Sequence, residues 1–177
     1  MATVNGDSKN AFHWNSVLYP VGTGLASGYA LHKMDRAYFD MTDRYGVFSG
    51  ALPQKLVQTA MEMPTPALKA RVLVASPVLE EGVFRGLLRN NQITANESQH
   101  GKETLVDKTE RVAVNSALFS SIHFDPTTSL KSNVRVAVPL FAAGVVFNGL
   151  MEATGSLLAP IAGHSFVNYL SMNHLRK

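Results

Sequence analysis

The chain has 177 residues, enough for one domain with a sizeable core and too few for two comfortable ones. Hydrophobic residues make up 46% and charged ones 16%, against about 25% charged in soluble domains, so the chain is depleted in charge at a mean hydropathy of only +0.03. The absence of cysteine excludes disulfides, thiolate metal sites and a cysteine nucleophile, and the scattered Lys and Arg behind the net charge of +3 argue against a nucleic-acid partner.

"MATVNGDSKNAFHW" lacks the basic-then-apolar pattern of a secretory signal, and no run reaches 18 uninterrupted apolar residues. "VLYPVGTGLASGYAL" (17–31) is apolar but carries Pro20 and three glycines, which predicts a weak helix. Its "GTGLASG" resembles a dinucleotide loop only loosely, and no strand precedes it. After Pro53, residues Leu56, Val57, Ala60 and Met61 fall at helical spacing and predict a short amphipathic helix. Residues 1–66 are read as an N-terminal region and residues 67–177 as a helical core.

Within that core four helical segments are expected. The first runs over about 67–89 and contains "SPVLEEGVFRGLL"; "NNQITANESQHGKETLVDKTE" then reads as a solvated loop. The second, "RVAVNSALFSSIHF", covers about 111–124, and the third, about 134–152, is the most lipid-like stretch of the chain. After the turn "ATGS" the fourth covers 157–173, with Pro160 near its first turn, where proline is best tolerated. At a rise of 1.5 Å per residue the first and third reach ~35 and ~29 Å, enough for a ~30 Å hydrocarbon layer, and the second only ~21 Å. No alternating strand pattern is present. The expected fold is all-α, a membrane-embedded helical bundle with a four-helix catalytic core.

The polar residues of these apolar segments need partners. Glu81 and Arg85 are four apart and pair on one helix face, while Glu80 points about 100° away. Gly82 and Gly86 form a small-xxx-small pair suited to close helix approach. Phe119 and His123 share a face, as do His164 and Asn168. The inward-facing set Glu80, His123, His164 and Asn168 contains a carboxylate and imidazoles to deprotonate water and donors to hold an oxyanion. Two imidazoles and a carboxylate also suit zinc, and spacing alone does not separate the two readings. There is no H-E-x-x-H helix and no G-x-S-x-G elbow. His13, His32, His100 and His174 lie in polar or terminal stretches and are expected at the surface.

"EEGVFR", "FSSIH" and "HSFVN", in that order, resemble the three motifs of the CPBP intramembrane proteases, the family of CAAX prenyl protease 2, the Abi proteins and lysostaphin resistance protein A-like proteins. "GLMEATGSLLAPIAGHSFVN" is similar to the family's approach to its last motif, and the likeness covers roughly residues 70–172. It implies a multi-pass membrane bundle with a hydrophilic chamber, and an endopeptidase cutting near a hydrophobic or prenylated CAAX-type end. Glu80 would activate water with His123, while His164 and Asn168 would stabilise the oxyanion. Glu81, Arg85 and Phe119 would support the site. The family has also been labelled metalloprotease, in which case Glu80, His123 and His164 would hold a divalent ion such as zinc; a metal-independent glutamate mechanism uses the same residues. The implied partners are a peptide or protein substrate, prenylated in the CAAX case, and membrane lipid. The alternatives are a non-catalytic membrane helical protein, serving bacteriocin immunity or scaffolding, and a soluble helical hydrolase.

Overall fold

The computed structural model describes residues 14–45 and 65–175, and these fold as five helices with no strand among them. The amphipathic segment after Pro53 lies outside the described residues, as does His13. Helix α1 (Asn15–Tyr45) is one continuous 31-residue helix, longer and firmer than the weak helix expected from Pro20 and the glycines. Thr23 Oγ1 donates to the Tyr19 and Pro20 carbonyls at 2.9 and 3.0 Å, beside the point where proline interrupts the ladder. Gly24 and Gly28 face the C-terminal helix so closely that a Cβ on either would strike the Ala159 or Gly163 carbonyl. What costs α1 intrinsic helicity gives it its packing surface.

Helix α2 runs without a break through Thr65–Ala70, Arg71–Ala75, Ser76–Glu81, Gly82–Leu88 and Arg89–His100. Its second and fourth pieces are π-helical, so the Glu80–Glu81 turn is flanked by two wide turns, a distortion common at functional sites. The solvated loop expected after residue 89 is instead mostly helix. No residue of Arg89–His100 is buried, so this piece has no apolar periodicity to betray it. It stops at Gly101, which takes the left-handed conformation (φ 74°) and donates its N–H to the Glu97 carbonyl.

Helix α3 (Leu105–Ser121) starts six residues before the expected segment, because Thr104 and Asp107 form a reciprocal capping box. It ends before His123, which lies in the following turn. Asp125 and Asn133 pin that turn, with Asn133 Nδ2 donating to the Asp125 carbonyl and Oδ1 accepting from the Asp125 N–H, both at 2.9 Å. Helix α4 (Leu130–Thr154) is capped by Ser129 at its start and by Gly155 (φ 62°) at its end. Thr154 and Ser156 then hold the tight turn into α5 (Leu158–Leu175), with Pro160 in its first turn as expected.

Helices α3 and α4 pack antiparallel, with Ser116 against Gly144 and Ser120 Oγ donating to the Ala137 carbonyl. Helix α1 lies parallel to α5, and the apolar centre is Leu31, Ala143, Phe147, Leu150 and Ala159. At the end of the bundle where α4 turns into α5, Glu152 is held by Arg89 (2.7 Å), Lys108 (2.9 Å) and Arg111 (3.2 Å). At the other end Asp43 of α1 pairs with Arg135 of α4. The close approach expected at Gly82 and Gly86 does not occur. Among the described residues nothing comes near a Cβ on Gly82, and Gly86 would meet only the Leu157 side chain at 3.7 Å. His32 is buried rather than exposed, because it sits on the α1 face that carries Gly28 and Leu31.

Candidate active site

Four helices and one turn supply the site. The two formal charges buried together on α2, Glu81 and Arg85, are both 0% exposed and lie one turn apart, with Nε 3.3 Å from Oε2. Arg85 also donates from Nη2 to the Gly144 carbonyl of α4 at 3.0 Å. Its guanidinium stands among the rings of Phe119 (4.7 Å), Phe147 (5.6 Å) and Phe84 (5.7 Å), whose π faces favour a cation removed from water. A buried pair of this kind is tolerated when attraction and further contacts offset its desolvation; here the carboxylate, the Gly144 carbonyl and three rings supply them, although Arg85 Nε and Glu81 Oε2 make no hydrogen bond.

Glu81 has a second partner. Its Oε1 accepts from His164 Nδ1 at 2.9 Å, so the α5 imidazole carries a proton on that nitrogen and turns Nε2 the other way. His123 is fixed likewise: Nδ1 donates to the Phe119 carbonyl at 2.8 Å and leaves Nε2 free. Both Nε2 atoms face the same oxygen. Glu80 Oε2 lies 3.9 Å from each and is buried with no hydrogen-bond partner. Atoms 3.9 Å apart are too far for a direct bond and well placed to share one water or one reacting atom.

Phe119 is the hub of the wall. It is 1% exposed and makes edge contacts with Phe84, Phe147, His123 and His164. Phe147 stacks on His164 at 5.3 Å and 18°. The sequence-expected residues Glu80, His123 and His164 are thus brought together, with Glu81, Arg85 and Phe119 around them. Asn168 is placed differently. Its Nδ2 donates to the Val72 carbonyl at 3.0 Å, which ties α5 to the first π-helical stretch of α2. Phe84, Phe147 and Gly144 were not singled out in the sequence; both rings sit in apolar runs that read as lipid-facing or core.

A divalent ion such as zinc holds N and O ligands at about 2.0–2.2 Å, which brings tetrahedral ligand atoms to roughly 3.3 Å from one another. The separations of 3.9 Å are wider. Among the described residues no three His, Asp or Glu groups stand close enough to hold an ion, so Glu80, His123 and His164 as placed do not fit one.

Among the described residues one helix, Leu130–Thr154, is long and apolar enough to cross a membrane by length and composition. Around it the burial pattern is inverted relative to a water-soluble bundle. Glu81, Arg85, Asn115, Ser116 and Asn148 are inside, and Leu79, Val83, Leu87, Leu118 and Ile122 are outside.

A family model, described as type II CAAX prenyl endopeptidase Rce1-like, matches residues 64–170, which is more than half of the chain and includes all three motifs. No curated protein and no solved structure matches. The matched family is a membrane-embedded helical bundle with CAAX-type protease activity, and the fold described above agrees with it. The chain belongs to the Rce1-like family of type II CAAX prenyl endopeptidases.

Proposed function

We propose that the chain is a multi-pass intramembrane endopeptidase that hydrolyses a peptide bond near a hydrophobic or prenylated end of its substrate, using Glu80 and His123 to activate water. The observation that carries the reading is the convergence of two unoccupied imidazole Nε2 atoms on one buried, unpartnered carboxylate oxygen, each 3.9 Å away. A water held there gives a proton to Glu80 while His123 orients it, and its oxygen adds to the scissile carbonyl carbon. The resulting oxyanion faces His164, whose doubly protonated form has Glu81 as its counterion, and the second N–H of Asn168, the first being committed to Val72. Glu80 then returns its proton to the departing amine nitrogen as the C–N bond breaks, and the new carboxylic acid passes its own proton to the released amine, leaving a carboxylate and an ammonium.

No step calls for a metal. Several passes are supported by the outward apolar rows of α2 and α3. Helices that turn carboxylates inward score low on mean hydropathy even when their outer faces suit lipid. The core 67–177 carries every residue of the proposed site, and the N-terminal region 1–66 contributes α1 as its brace.

The test is cleavage of a prenylated CAAX peptide and its unprenylated counterpart by the full chain purified in detergent, with and without a chelator. Cleavage of the prenylated peptide in preference to the bare one, unchanged by chelator, is expected. Full loss of turnover with chelator and recovery with zinc would replace the glutamate mechanism by a metal one. An inert chain that is folded and inserted would favour the non-catalytic reading.

A further inference from the structure

Beside Phe147, and 0% exposed, α4 carries Asn148. Asparagine is a poor helix former and an expensive residue to enclose in an apolar bundle, so its contacts define its use. Its Nδ2 donates to the Gly144 carbonyl at 2.9 Å and reaches Ser116 Oγ of α3 only at 3.5 Å. Its Oδ1 is buried with no hydrogen-bond partner among the described residues. An apolar side chain here would leave no orphaned acceptor. Packing alone gives no reason for the amide.

The Gly144 carbonyl is the oxygen that Arg85 Nη2 grips at 3.0 Å. Gly144 itself admits no side chain, since a Cβ would come within 2.9 Å of Ser116 Cα, so any substitution here would part α3 from α4. Two donors from different helices therefore meet on one backbone oxygen. From there the contacts run without a gap: Arg85 to Glu81 at 3.3 Å, and Glu81 to His164 Nδ1 at 2.9 Å.

We infer that Asn148 is a positioning residue for the hydrolytic site, acting through the Gly144 carbonyl and Arg85 on the Glu81–His164 pair. This rests on the proposed function, in which His164 must keep Nδ1 on Glu81 so that Nε2 faces the reacting carbonyl. The Asn148 amide aims the carbonyl at Arg85. Arg85 in turn fixes which face of the Glu81 carboxylate is left for the imidazole. The competing reading is that Asn148 merely joins α3 to α4 through Ser116, as polar residues do between membrane helices.

The experiment compares the full chain with Asn148→Leu and Ser116→Ala in detergent. It reads kcat and KM on the prenylated peptide, the melting temperature, and the ¹⁵N signal of the His164 Nδ1–H, assigned by its loss in His164→Gln. Asn148→Leu is expected to lower kcat by about tenfold or more with KM within about twofold, and to shift or weaken the His164 signal. Ser116→Ala is expected to leave both at wild-type values. If Asn148→Leu keeps wild-type kcat and an unchanged His164 signal, or if the two variants lose only melting temperature and by similar amounts, the inference is overturned. Where Asn148→Leu does not accumulate as folded protein, Asn148→Ala, which adds no volume, is read by the same criteria. A wild-type chain that cleaves nothing sinks the proposed function, and the His164 signal still decides the positioning.

Discussion

Glu81 is the residue on which the buried electrostatics turn, because it answers Arg85 and His164 at once. Removing it leaves a guanidinium enclosed by three aromatic rings with only the weaker pull of Glu80, and deleting one partner of a buried pair costs roughly 3–5 kcal/mol. Glu81→Ala should therefore lower the melting temperature sharply as well as activity. A variant with wild-type melting behaviour would show that Arg85 has another counter-charge. Most of this site was legible before the structure. Two adjacent carboxylates, an arginine four residues on and histidines in two other apolar segments demand partners, and the order of the motifs supplied the family. Asn148, Gly144 and Phe147 were not legible, since their meaning depends on which carbonyl and which ring a neighbouring helix presents. Asn168 shows what spacing leaves out: it shares a helical register with His164, and one N–H of its amide ties α5 to the Val72 carbonyl.

At the scale of the helix, what the sequence concealed was continuity. The polar end of α2 has no buried face, and the capping box before α3 uses Asp107 where Glu or Gln is the commoner signal. A 21-residue loop was expected where the structure has two helix ends and a short turn. The glycines of α1 mislead for the opposite reason: they lower helix propensity, and only the packing against α5 shows why they are there. Gly28 lies against Gly163, the residue before His164, with a Cβ reaching within 2.5 Å of the Gly163 carbonyl. Gly28→Val should push α1 off α5, cost about 1–3 kcal/mol by overpacking, and reduce turnover through the displaced His164. Thermal unfolding and peptide cleavage on the same preparation check it, and a variant unchanged in both would mean that α1 does not brace the site.

For the whole molecule, the bundle encloses buried charge beside its apolar centre. Glu81, three arginines and the Asn115, Asn133 and Asn148 amides are buried inside, many large aliphatic side chains are exposed, and ionic ties at both ends hold the helices in register. That arrangement suits lipid surroundings, and it places a carboxylate oxygen with no hydrogen-bond partner at the meeting point of α2, α5 and the turn after α3. The central claim is that this carboxylate is the base. The most direct measurement is single-turnover cleavage of a prenylated CAAX peptide by wild type and by Glu80→Gln, which keeps shape and removes the base, at matched insertion and melting temperature. The account predicts a fall of about 10²–10⁴-fold in the cleavage rate with peptide binding retained. Cleavage by Glu80→Gln at the wild-type rate would contradict it.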